Sequence, residues 1–357
     1  MGNLLLIDDE VEHRKSLAAA IARSDSGIEV REWSPAQTEN PLDEFNKRVD
    51  ENTVLVITDY DLTKGGITGL FGATIVGWCQ SRSIPVGDFS RGKVSQLPQE
   101  PNQYEIRVPT DDEEASKYVA AVFRGFESIN AAVRTSESAL NAKKSPVGVL
   151  AEILGRPEEE SRFSLYGVRL GASNPSLKEH IRTQSEPQTQ EKQRLLGYVI
   201  GHLLLNVILR YPGPIMCANA LTSYVAASPD EIGDLATLFG EGKYKGPFDQ
   251  VDQFFWLSDV ESSLETLISE LDNAPEVETQ GELRRLAVER RLGRELKRHG
   301  CSRCQGKNGG FWCPFTERAV CQLPECSIGS NAWIPQGARL CRIEKDFYDE
   351  WAPVLGF

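Results

Sequence analysis

The chain has 357 residues, 40% of them hydrophobic and 25% charged, a composition and length that give room for two or three globular domains with cores of their own. Asp8, Asp9 and Glu10 interrupt any signal-peptide pattern, and the longest apolar stretch, 195–209, would span only about 22 Å as a helix, short of the bilayer core, so a soluble, cytoplasmic protein is expected. The net charge of −13 is uneven, because residues 281–345 carry 13 Lys/Arg against 6 Asp/Glu.

In chain order, the first third alternates strand and helix. Asn3–Ile7 and Thr53–Ile57 are short runs of branched aliphatics without polar alternation, the mark of strands buried on both faces. Between them lie an amphipathic helix from Glu10 to Ala22, an alternating strand at Ile28–Trp33 and a short helix at Leu42–Val49. A helix at Leu70–Ser81, a strand opened by Ile84-Pro85-Val86, a strand at Tyr104–Val108 and a long helix from Asp111 to Ala132 complete the segment. This order implies a parallel sheet with right-handed crossovers.

A small, polar stretch near Thr135–Pro146 marks a boundary. The division expected is 1–135, a linker and small α/β segment at 136–192, a mainly α-helical region at 193–298 and a Cys-rich module at 299–357. In the second segment, Val147–Leu154 reads as helix, Ser164–Leu170 as a strand and Leu177–Lys192 as a polar loop. Helices follow at Arg194–Leu209, stopped by Tyr211-Pro212-Gly213-Pro214, and at Ile215–Ala226. Capping-box patterns at Ser228–Glu231 and Ser258–Glu261 start two more, and Gly281–Arg298 is the last. Gly197 and Gly201 have the spacing of close helix packing, and His202 and Phe254-Phe255-Trp256 read as core.

Six of the eight cysteines fall at Cys301, Cys304, Cys313, Cys321, Cys326 and Cys341, a clustering that favours metal over disulfides where no secretory signal is seen. Cys301 and Cys304 form a CxxC knuckle. Two of Cys313, Cys321 and Cys326 would complete a four-thiolate Zn2+ site, with Cys341 and His299 in reserve; an iron–sulfur cluster is the less favoured occupant. Trp312, Phe311 and Trp333 read as packing around that site.

The two apolar runs end in acid, as Ile7-Asp8-Asp9 and Ile57-Thr58-Asp59. Carboxylates at the carboxyl ends of parallel strands lie where open α/β sheets place their sites, and three together call for a hard divalent cation such as Mg2+. With Asp61-Leu62, Ile84-Pro85-Val86…Ser90 and Tyr104-Glu105-Ile106-Arg107, these positions make residues 3–133 resemble the receiver domain of two-component response regulators. The resemblance implies a flavodoxin-like, doubly wound, five-stranded parallel sheet with Asp59 as phosphoacceptor. It implies that Asp8, Asp9 and Asp59 hold Mg2+ and that Asp61 offers its backbone carbonyl to the metal. Ser90 would bond the phosphoryl group, Tyr104 would be the aromatic switch, and Arg107 would stand where the family has lysine. The fourth helix of the family is cut down here by Pro98 and Pro101, and Asp88 is unusual inside a strand.

The resulting expectation is a response regulator, phosphorylated by a histidine kinase or phosphotransfer protein, whose helical, zinc-bound C-terminal region binds an output protein partner. A receiver-gated enzyme with its active site in 145–357 is the alternative, although no clustered His/Asp/Ser set stands there. A second alternative is nucleic-acid binding through the basic helix 281–298 and the Cys module. A homodimer is compatible with either. No Gly-rich phosphate loop, HExxH or GxSxG occurs.

Overall fold

The computed structural model describes residues 2–35, 40–63, 70–89, 104–136, 139, 144–166, 189–271, 277, 279–304, 310–329 and 332–353. The chain divides into two compact units, one of residues 1–158, 168–206 and 246–251, the other of residues 159–167, 207–245 and 252–357.

The first unit is built on a parallel sheet of β1 (Asn3–Ile7), β2 (Glu29–Trp33), β3 (Thr53–Asp59), β4 (Val86–Phe89) and β5 (Ile106–Arg107), in the order β2-β1-β3-β4-β5. β1 and β3 sit at its centre, and every residue of Asn3–Ile7 and Thr53–Thr58 is buried, which is why these runs need no polar face. α1 (Val11–Ser24) and the 24-residue α4 (Asp112–Thr135) pack together on one side of the sheet. α2 (Pro41–Arg48) and α3 (Gly72–Ser81) contribute Phe45, Ile75 and Cys79 to a core with Leu5, Ile7, Trp33 and Val56. Asp111 caps α4, its carboxylate accepting from the Glu113 and Glu114 amides at 3.0 Å each.

α5 (Pro146–Ile153) begins at a Ser145 cap. α6 (Glu160–Ser164), in the second unit, runs into a turn at Leu165–Tyr166, so the strand expected from Ser164 does not begin there; residues 167–170 and most of the polar loop 177–192 lie outside the described residues. α7 (Thr189–Leu203) packs on α4 within the first unit and passes into a π-helical turn at Leu204–Ile208. The Gly197/Gly201 pair makes this contact possible. A Cβ on Gly201 would lie 2.4 Å from Phe126 Cε1, and one on Gly197 2.4 Å from Asn130 Oδ1.

In the second unit, the helix expected over Ile215–Ala226 is split. Ile215–Cys217 forms β6, paired antiparallel with β7 (Phe254–Trp256), and only Ala218–Tyr224 is helical (α8). α9 (Ile232–Leu238) follows a 3-10 turn at Pro229–Glu231, and α10 (Leu257–Ser269) starts directly from β7. α11 (Gln280–Leu292) stops short of Arg298 because Gly293 turns left-handed at φ +69°. Met216, Leu221, Phe239, Phe255, Val260, Val288 and Trp312 form the core of this unit. A hairpin of β8 (Phe311–Cys313) and β9 (Arg318–Val320), a pair of β10 (Ser327–Ile328) and β11 (Ile343–Glu344), and α12 (Lys345–Trp351) complete it. No helix among the described residues is long and apolar enough to cross a membrane.

Candidate functional site

β1 and β3 are adjacent and parallel, so the residues that leave their carboxyl ends meet. Oxygen atoms of Asp8, Asp9 and Asp59 all lie within 4.8 Å of one another, and the group could hold a metal ion. Carboxylates this close repel by about 3 kcal/mol per ionised pair at an effective dielectric of about 20. Asp8 and Asp9 are buried and Asp59 half-buried. Burial pushes the Asp8 carboxyl above its ordinary value, against the Glu10 amide that donates to its Oδ1 at 2.6 Å; the nearby charge of Asp9 adds to the rise. A cation bound among the three would offset both the burial and the repulsion.

Two residues that the sequence reading passed over hold this corner. The Arg14 guanidinium donates to the Asp8 carbonyl at 2.7 Å and to Glu32 at 3.1 Å, fixing the chain where it leaves β1. Gly72 opens α3 so close to β3 that a Cβ would stand 2.4 Å from the Asp59 carbonyl oxygen, while its amide donates to the Tyr60 carbonyl at 2.8 Å. The glycine at the start of the helix that follows β3 was the available signal.

The other expected residues are placed as follows. The Asp61 carboxylate is outside the acidic group, its Oδ1 accepting from the Thr63 amide at 3.1 Å and hydroxyl at 2.5 Å. Ser90 lies outside the described residues. Arg107 is exposed on β5, opposite Asp88 in register. Asp88 is pushed up to about 6 by burial and by Glu105, with Arg107 opposing, and its Oδ1 is buried without a hydrogen-bond partner among the described residues. Tyr104 is fully buried, stacked on Tyr198 at 5.2 Å and edge-on to His202 at 5.5 Å.

The second group lies near the C-terminus. The sulfurs of Cys301, Cys304, Cys321 and Cys326 all lie within 4.8 Å of one another and could hold a metal ion. Cys304 Sγ and Cys321 Sγ are 3.8 Å apart, and thiolates about 2.3 Å from a tetrahedral Zn2+ stand about 3.8 Å from each other. Cys301 is held below its ordinary value by the backbone N–H groups of Cys304 and Arg303 although burial opposes them; burial and backbone and thiol neighbours leave Cys321 at about 11. Cys313, one of the expected ligands, is outside the quartet, because β8 carries its buried Sγ to the Glu344 amide at 3.3 Å. Cys341 is also elsewhere, donating to the Pro212 carbonyl at 3.6 Å, and His299 is not part of the quartet.

Much of the basic stretch 281–298 is engaged within its own unit. Arg285 is buried against Glu289 at 2.5 Å, Arg294 bonds Glu231 at 2.6 Å and also Asp234, Lys297 bonds Asp230 at 2.5 Å, and Arg284 lies 3.7 Å over the Tyr224 ring.

No family model, curated protein or solved structure matches the chain.

Proposed function

We propose that the first unit is a phosphoacceptor of the receiver type, taking a phosphoryl group on Asp59 with Mg2+ held by Asp8, Asp9 and Asp59, and that the chain is a two-component response regulator. The observation that carries this reading is the convergence of three carboxylates at the carboxyl ends of two adjacent central strands. The strand order 2-1-3-4-5 supports it, since in sheets of that order sites form at this edge. The donor set is all oxygen, the preference of Mg2+, and the raised Asp8 carboxyl fits a position meant to face a cation.

In this reading an Asp59 oxygen attacks phosphorus, forming the acyl phosphate as the P–N bond of a phosphohistidine donor breaks and the leaving imidazole nitrogen takes up a proton. Bound Mg2+ would neutralise the phosphoryl oxygens and align them with the attacking carboxylate. Arg14 and Gly72 keep the two strand ends in register for that attack. The output passes through Tyr104, whose ring meets Tyr198 and His202 of α7, to the zinc-bound C-terminal region and its protein partner. The Cys301/Cys304/Cys321/Cys326 quartet holds Zn2+ structurally, four thiolates leaving no coordination position for a substrate.

The test is acetyl phosphate or beryllofluoride with Mg2+, followed by intact mass and amide hydrogen exchange. The wild type gains one phosphoryl group and altered exchange in β4, β5 and α7, and Asp59→Asn gains neither. An unmodified wild type under conditions in which Mg2+ binding is demonstrated overturns the proposal.

A further inference from the structure

A cleft of about 560 Å³ opens at the amino-terminal edge of the sheet, the edge opposite the acidic group. Its floor is the start of β3 with Ser83 and Pro85, and its walls are the last turns of α4 and the first turns of α7. The volume is that of a small-molecule site. Two arginines line it, Arg134 from α4 and Arg194 from α7.

The polar groups of this cleft are unevenly satisfied. Its carboxylates have partners: Glu127 bonds Arg124 at 2.6 Å, and Glu51 accepts from Gln190 at 3.1 Å, while Glu191 is exposed to solvent. Its cations do not. Neither Arg134 nor Arg194 is ion-paired with a described residue, and the buried Nη2 of Arg194 has no hydrogen-bond partner among them. Burial, opposed by Cys79 and Asp50 and reinforced by Arg82 and Arg134, pushes the Arg194 guanidinium below its ordinary value. Ser83, only 4% exposed and held at φ +53°, also leaves its buried Oγ without a partner among the described residues. A buried guanidinium nitrogen and a buried hydroxyl left without partners cost stability, and the residues that carry them, Arg194 and Ser83, both line the same concave surface.

We propose that this cleft binds a small anionic ligand through a phosphate or carboxylate group, which Arg134 and Arg194 bind as charged forks and Ser83 Oγ hydrogen-bonds. A planar fork suits either oxyanion, because two parallel N–H groups match two of its oxygens. Tyr198, Val54 and Pro85 offer an apolar surface to the remainder of the ligand. The site shares no residue with the acidic group, so it stands or falls independently of phosphorylation at Asp59.

Calorimetric titration of the full, zinc-replete chain with orthophosphate, and separately with succinate, tests it and separates the two sources of the anion. One saturable site per chain is expected for at least one of them. Affinity drops at least about tenfold in Arg194→Gln and in Arg134→Gln and a few-fold in Ser83→Ala, as expected when one charged or neutral hydrogen bond is lost. Asp59→Asn leaves it unchanged, which sets this site apart from the phosphoacceptor. Near-UV circular dichroism checks that the variants fold, and exposed Arg134 carries the test if Arg194→Gln does not. Absence of saturable binding of both anions up to about 10 mM, or binding that survives loss of Arg134, overturns the proposal.

Discussion

Asp88 offers a quantitative test of how the sheet treats charge. It stands in β4 between Thr58 of β3 and Arg107 of β5, and burial together with Glu105 pushes its carboxyl from 3.8 up to about 6 despite Arg107. A displacement of that size corresponds to about 3 kcal/mol between the two protonation states, with about 1–3 kcal/mol a fair range once water reaches the strand end. The sign follows from proton counting. Between pH 3.8 and about 6 the folded chain keeps a proton on Asp88 that the unfolded chain has released, so stability falls as pH rises through this window and the full penalty stands above it. Asp88→Asn removes the charge at nearly constant shape. Urea unfolding at pH 4 and pH 8, followed by far-UV circular dichroism, should show little difference between variant and wild type at pH 4. At pH 8 the variant should be more stable by about 1–3 kcal/mol. An equal offset at both pH values, or a less stable variant at pH 8, would refute the electrostatic account of this position.

Under the proposed function, elemental analysis should find about one zinc per chain; Cys321→Ser should lose it and Cys313→Ser retain it, because only the former belongs to the quartet. Gly201→Ala should lower the melting temperature, since its Cβ would press on Phe126 Cε1 from 2.4 Å, an overpacking worth about 1–3 kcal/mol. Mg2+ affinity, read by calorimetry, should weaken as pH falls through the raised Asp8 value, because the metal needs that carboxyl ionised. Gly72→Ala should weaken it at every pH, since the new methyl group meets the Asp59 backbone, which cannot yield as a side chain would.

What could be read in the residues and what could not has a physical dividing line. The acids of the first unit were legible because a doubly buried strand announces itself locally, and parallel neighbours bring their carboxyl ends together whatever the loops do. Cys301 and Cys304 were legible for the same local reason, two ligands on one turn. The second pair was not, since nothing local separates Cys313, at the end of β8, from Cys326, in the turn before β10. Ile215–Ala226 read as one helix because an apolar run has no period of its own; β7, 39 residues away, draws Ile215–Cys217 into a strand. The stop at left-handed Gly293 was missed, and Gly281–Arg298 read as one helix, because the basic residues beyond the glycine imitate a continuing helix while bonding Asp230, Glu231 and Asp234. Gly197 and Gly201 foretold a close approach without naming α4 as the surface approached, and the cleft between α4 and α7 was correspondingly invisible.

That helix pairing bears on how a signal could leave the first unit. His202, on α7, is wholly buried, and burial holds its imidazole at about 3, neutral across the physiological range. Its Nδ1 lies 3.2 Å from the Asn206 amide nitrogen, which also donates to the Glu105 carbonyl at 3.0 Å, so the ring is positioned as an acceptor. The contact among Tyr104, Tyr198 and His202 is therefore no pH sensor. It changes only if the Tyr104 ring moves, and a ring that is stacked at 5.2 Å on Tyr198 and edge-on to His202 cannot rotate far unless α7 shifts with it. Under the proposed function, phosphorylation of Asp59 must act on the seating of α7, at a crossing where Gly201 and Phe126 leave no spare volume. Loosening that crossing by Phe126→Ala should make α7 amides exchange faster without phosphoryl transfer, whereas unchanged exchange in the variant would show that the helix is held by contacts other than these.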